Sequence, residues 1–277
     1  MVFLFTGSYR AGVSIHKQLA GRPETVLALE MGGNNPLIVH NSSDISRAIL
    51  PIIESAYITS GQRCTCARRL LLTPESRPDE LLAMLKQAVR NIRIGLPLEE
   101  PQPFIGPLIR RHAAENMLAA QASLIAAGAE PLVEGVVSAD CPALVSPILL
   151  DVTDMPLADE EHFGPMLLVQ RCASLSEAVE EAGHTRFGLS LGLISDVRED
   201  FEYVVCNARA GIVNWNRQTT GASGRLPFGG VGCSGNHAPS GFYAADYCSY
   251  PVASLECERA ELDKRSPGLE NIPLWRR

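Results

Sequence analysis

Short apolar runs of strand type alternate with helical stretches from the first residues to Trp215, and this alternation constrains the fold more than any other feature of the chain. Strand-type runs lie at 2–5, 26–29, 37–39, 70–73, 131–134, 145–150, 166–171, 189–195 and 211–215. The stretches between them carry helix signals. Ser43 or Asp44 caps a helix running toward Thr59, Pro78 opens one over 78–91, an Ala-rich run over 112–127 closes at Gly128, and Ser174-Leu175-Ser176-Glu177 is a capping box. Such a pattern predicts an α/β fold with a mainly parallel sheet. After Asn216 it lapses into a glycine-rich loop, 221–241, too long for a passive connection in a compact domain. A last strand is predicted over 247–255, and the tail, 258–277, reads as a surface segment of mixed charge.

The 277 residues are 46% hydrophobic, enough to bury a substantial core. A net charge of −7 without any basic run argues against nucleic acid or an anionic membrane as partner, so a small molecule is the expected ligand. The first six residues are apolar but lack the basic segment of a signal peptide, and no apolar run reaches the roughly 20 residues of a membrane span. Eight cysteines without a CxxC pair predict reduced thiols, a cytoplasmic protein and no metal.

Two residues stand in settings that suit covalent chemistry. Cys64, in Gly61-Gln62-Arg63-Cys64-Thr65-Cys66, has Arg63, Arg68 and Arg69 nearby, cations that favour a thiolate. Read alone it is more readily a small buried hydrophobe than a nucleophile, and Cys66 is its rival. Glu30 ends an apolar run and precedes Gly32-Gly33, a setting that desolvates a carboxylate and raises its pKa toward that of a general base; a solvated strand end is the plainer alternative. The stretch Gly230-Val231-Gly232-Cys233-Ser234-Gly235 matches GxGxxG, but no strand leads into it and Asn236-His237-Ala238-Pro239 cannot open the required helix, so it reads as a decoy. Ser8, at the start of a helix, is a better candidate for phosphate contact.

The pairing of Glu30-Met31-Gly32-Gly33 with Gly61-Gln62-Arg63-Cys64 resembles the aldehyde dehydrogenase superfamily. So do Phe5-Thr6-Gly7-Ser8 with Gly12, Glu161-His162-Phe163-Gly164-Pro165, and Pro227-Phe228-Gly229-Gly230 with Ser234-Gly235, all in that family's order. Within it, Gly61 to Arg69 and Asn214-Trp215-Asn216 most resemble N-succinylglutamate 5-semialdehyde dehydrogenases of arginine catabolism. The resemblance implies NAD as cofactor, Cys64 as nucleophile and Glu30 as the base that activates water. Gly7, Ser8, Glu161 and Phe163 would contact the cofactor. Asn216 and Phe228 would line the aldehyde pocket, where Arg63, Arg217 or Arg225 would meet a substrate carboxylate. It further implies a remnant of a Rossmann-type cofactor domain over 1–29, a catalytic domain over 30–230, and a return segment over 231–277 whose strand pairs with another subunit of a homo-oligomer. In that family a long section precedes the first strand read here and holds an oxyanion-binding asparagine and the residues for adenosine ribose. The isolated chain is therefore expected to be impaired. Alternatives are another semialdehyde dehydrogenase, a non-catalytic oligomerisation remnant, and an ester hydrolase using Cys64 without a dinucleotide.

Overall fold

The structure is a computed structural model that describes residues 1–259, 267–269, 271 and 273. Of the predicted surface tail, residues 260–266, 270, 272 and 274–277 lie outside the described residues.

The chain opens with β1 (Val2–Gly7), α1 (Tyr9–Leu19) and β2 (Val26–Met31), a β-helix-β unit whose strands pair in parallel as a two-stranded sheet of their own. There follow β3 (Asn35–Val39), α2 (Ile49–Tyr57), β4 (Ala67–Leu72), α3 (Pro78–Arg90), α4 (Arg111–Ala126), β5 (Glu130–Val133), β6 (Ile148–Asp151) and β7 (Met166–Arg171). Then come α5 (Leu175–Gly183), β8 (Ser190–Ile194), α6 (Arg198–Asn207), β9 (Ile212–Trp215), the short strands β10 (Pro227–Phe228) and β11 (Ser240–Gly241), and α7 (Ala244–Tyr247).

The main sheet has the order β5-β6-β7-β4-β3-β8-β9, parallel throughout except for the β5–β6 pair at one edge. Its central strands are buried on both faces, which is why they read as unbroken apolar runs. Alternate residues serve opposite layers. Leu70 and Leu72 pack with Leu37, Val39 and the α2–α3 side, whereas Leu71 and Ile38 pack with Ala178 and Val179 of α5 and Val204 of α6. Ile148, Leu150 and Leu168 meet Ala114 and Met117 of α4.

Two expectations are corrected here. The apolar run at 2–5 reads in the sequence as a buried strand, yet Val2, Phe3 and Leu4 are 37%, 40% and 58% exposed, because β1 is the free edge of a sheet with only one partner strand. The predicted strand over 247–255 does not form. Tyr247 ends α7, and the following residues make no ladder among the described residues, where Tyr250, Val252 and Leu255 are exposed. Among the described residues no helix is long and apolar enough to cross a membrane, and no cluster of three His, Cys, Asp or Glu side chains is placed to hold a metal.

Candidate active site

The two sheets face each other end to end. Thr6 and Gly7 close β1 and Glu30 lies near the end of β2, while Cys64, Gly164 and Asn35 lie at the starts of β4, β7 and β3. Between them is a cavity of about 680 Å³, within the range of small-molecule and cofactor sites. Thr6, Gly7 and Ser8 line one wall, Gln62, Arg63, Cys64 and Thr65 another, Gly32, Glu161 and Phe163 a third, and Gly221, Ala222 and Phe228 the last.

The turn bearing Cys64 is held from several directions. Thr59 and Ser60 have φ of 54° and 58°, left-handed values costly for a β-branched residue and its neighbour, and Gly61 follows at 70°. Tertiary bonds hold this arrangement. The Ser60 hydroxyl donates to the Gly106 carbonyl at 2.7 Å and accepts the Gly106 N–H at 3.1 Å, and Gln62 Oε1 accepts the Ile109 N–H at 2.9 Å. A side chain at Gly61 would collide with the Gly164 carbonyl. Beyond the turn, Asn35 Nδ2 donates to the Cys64 and Cys66 carbonyls at 2.7 and 2.9 Å, while its Oδ1 accepts the Ser190 N–H at 3.0 Å. One amide thus ties the starts of β3, β4 and β8 beneath the thiol.

The arginines do not serve as the sequence suggested. Arg68 is 1% exposed and donates to the carbonyls of Gly61, Gly164 and Arg63. Arg69 turns to the other side of the sheet, where it meets the carbonyls of Asn34, Glu181 and Ala182. Burial raises the Cys64 pKa, and the nearby charges of Glu161 and Glu30 raise it further. In the resting site the group is therefore a thiol, and its proton needs an acceptor.

Glu30 is 8% exposed and set back from the cavity wall, behind Gly229 and Ser240. Its Oε1 accepts only a long bond, 3.4 Å, from the Ser240 N–H, and its Oε2 has no partner. Desolvation lifts its pKa to about 7. This is the environment the sequence predicted, and it lets one carboxyl both accept and return a proton near neutrality.

Glu161 accepts the Gly33 N–H at 3.2 Å and stands 3.7 Å from Arg68, with its pKa raised by burial. A side chain at Gly32 would strike its carboxylate, so the backbone approaches it closely there. The Phe163 ring lies 5.3 Å from the Arg68 guanidinium and is 46% exposed toward the cavity. Ser8 caps α1 by accepting the Ala11 N–H at 3.3 Å. An acidic side chain, an open aromatic face and a helix start thus border one space, groups that suit a cofactor carrying hydroxyls, a flat ring and a phosphate.

Asn216 is elsewhere. It follows β9, at the opposite end of the parallel sheet from Cys64, and its side chain bonds the Ser195 backbone through both Oδ1 and Nδ2 at φ of 50°, the role of a turn asparagine. Of the three arginines considered for a substrate carboxylate, Arg63 borders the cavity and Arg217 and Arg225 do not. The GxGxxG match forms a single 3-10 turn over Gly232–Ser234 with no helix after it. Sequence reasoning overlooked Asn35, whose signal was its place directly after Gly32-Gly33-Asn34, and Ser240, for which no local pattern exists.

The model of the aldehyde dehydrogenase family matches residues 1–252. Among solved structures, aldehyde dehydrogenase 21 from Physcomitrella patens in complex with the reaction product succinate is 27% identical, covering 88% of this chain and 50% of that one, with a TM-score of 0.81. A 1-pyrroline-5-carboxylate dehydrogenase from Thermus with bound NAD is 29% identical, covering 87% and 47%, with a TM-score of 0.79. A glyceraldehyde-3-phosphate dehydrogenase from Methanocaldococcus jannaschii complexed with NADP is 29% identical, covering 88% and 52%, with a TM-score of 0.80. The chain spans about half the length of these proteins. With this fold, and with a family match over nearly all its length, the chain belongs to the aldehyde dehydrogenase family.

Proposed function

We propose that this chain carries the thiol centre of a nicotinamide-dependent aldehyde dehydrogenase, with Cys64 as nucleophile and Glu30 as general base. The observation that carries the reading is the meeting of Cys64, Glu161, Phe163, Ser8 and Phe228 on one cavity, with a desolvated carboxyl immediately behind it. Gly7, Ser8, Glu161 and Phe163 would hold the cofactor, which supplies a hydride acceptor when bound. NAD is our choice; structures of the family carry NAD and NADP alike.

The chain's own residues account for the remaining steps. Glu30 takes the Cys64 proton through water, and the thiolate attacks the aldehyde carbon to form a thiohemiacetal, whose oxyanion the Cys64 backbone N–H can meet. Loss of hydride leaves a thioester on Cys64. Glu30, having passed its first proton to solvent, then removes a proton from the water that attacks the acyl carbon and returns it to the Cys64 sulfur as the carbon–sulfur bond breaks and the acid departs.

The substrate we propose is a semialdehyde bearing a carboxylate, specifically N-succinyl-L-glutamate 5-semialdehyde. Arg63 supports this choice, because a guanidinium bordering the cavity matches a carboxylate in shape and charge. The plant enzyme of the family was solved with succinate, itself a dicarboxylate. The test is titration of the purified chain with NAD and with NADP, with reduced cofactor read from the same samples on adding the semialdehyde. Turnover lost in Cys64→Ala, and a KM raised about 10-fold or more in Arg63→Ala, supports the reading. Turnover that survives Cys64→Ala overturns it.

The exposed, unpaired backbone after α7 favours a second reading, a non-catalytic subunit that pairs with full-length relatives to form an oligomer. Sedimentation with a full-length homologue decides this, since that reading requires a mixed complex.

A further inference from the structure

The loop that mimics a dinucleotide fingerprint runs alongside β2. Gly235 forms an isolated antiparallel bridge with Glu30. On one side of that bridge, the buried Ser234 hydroxyl donates to the Gly32 carbonyl at 2.7 Å and accepts the Gly188 N–H at 3.0 Å. On the other, Asn236 Oδ1 accepts the Leu29 N–H at 2.8 Å and Nδ2 donates to the Leu27 carbonyl at 2.6 Å. Leu27 and Leu29 present these groups along one edge of the strand, and a peptide of a third strand would satisfy the same pair. The side-chain amide of Asn236 therefore does the work of a strand where the sheet has none.

The next residue of β2 is Glu30, whose Oε2 is closed off from bulk solvent and has no hydrogen-bond partner among the described residues. A carboxyl remains desolvated only while both flanks stay closed. We propose that Asn236 is a positioning residue for Glu30: by pairing with Leu27 and Leu29 it locks the free edge of β2 and keeps the Glu30 carboxyl behind Gly229 and Ser240, out of bulk water. Its functional meaning rests on Glu30 acting as the base. The ionisable groups that feel Glu30 are Cys64, across the cavity, and Tyr247 of α7, both of which it raises; no cation contributes to its own shift.

The test reads the Glu30 carboxyl directly, by its ¹³C titration in the intact chain, with the signal assigned through its loss in Glu30→Gln. Wild type is expected to titrate near 7. Asn236→Ala admits water, and the midpoint is expected to fall by about one unit or more while amide exchange quickens at Leu29. Asn236→Ser, able to satisfy one of the two backbone groups, should fall between and carries the test if the alanine variant does not fold. A midpoint unchanged in both variants overturns the proposal, as does faster exchange with an unmoved midpoint, which would make Asn236 a purely structural residue. The base role fails separately: Glu30→Gln would then leave breakdown of an acylated Cys64 unaltered, whatever the Asn236 variants do.

Discussion

At the scale of single residues, Glu30 gives the sharpest expectation. Its pKa is about 7 in the fold against an ordinary 4.5. Between those values the native chain holds a proton that the unfolded chain has released. Stability therefore declines as pH rises through this window, and the loss is complete above it. Glu30→Gln removes that penalty, so at pH 8 the variant should be more stable than wild type by up to about 3 kcal/mol, with the difference vanishing near pH 4. Urea unfolding at the two pH values measures this, and a difference independent of pH would contradict it. For Cys64, the charge of Glu161 is one reason that the thiol resists ionisation. Glu161→Gln should hasten alkylation by iodoacetamide at pH 8 by about 3- to 10-fold, read as the rate of modification at Cys64. The settings of Cys64 and Glu30, a tight turn and a desolvated strand end, were legible in the sequence because glycines mark the places where backbone must approach closely. The arginines misled, since a sequence shows that a cation is near in the chain but not which side of a strand it faces. Asn216 misled for a related reason: motif order does not say which end of the sheet a residue occupies.

At the scale of elements, the strands and helices were legible with small differences at their ends, since burial on two faces and cap residues leave strong local signals. The left-handed run before Cys64 was not. Thr59 and Ser60 adopt backbone that their side chains disfavour, and the bonds that hold Ser60 there come from Gly106, distant in sequence. Gly61→Ala adds both a left-handed penalty and a collision with the Gly164 carbonyl. It should cost about 3 kcal/mol or more in denaturant unfolding. A cost below about 1 kcal/mol would show that the turn adapts easily and does not fix the thiol.

At the scale of the whole molecule, two sheets of unequal protection meet at the cavity. β3, β4, β7 and β8 lie within the seven-stranded sheet under helices, whereas β1 has one neighbour and exposed apolar side chains. Hydrogen exchange should therefore be fastest along β1 and slowest along β4, and equal protection of the two would contradict this division. The stretch after α7, whose apolar spacing suited a ladder, forms none among the described residues. Whether the two sheets bring one thiol and one base to a common reaction centre can be tested without any dinucleotide. The chain and its Glu30→Gln variant are treated with 4-nitrophenyl acetate, and the acetylated residue and its lifetime are read by mass spectrometry. Acetylation is expected at Cys64 in both proteins, with the adduct persisting about 100-fold longer in Glu30→Gln. Acetylation elsewhere than Cys64, or adducts of equal lifetime in the two proteins, would contradict a common centre.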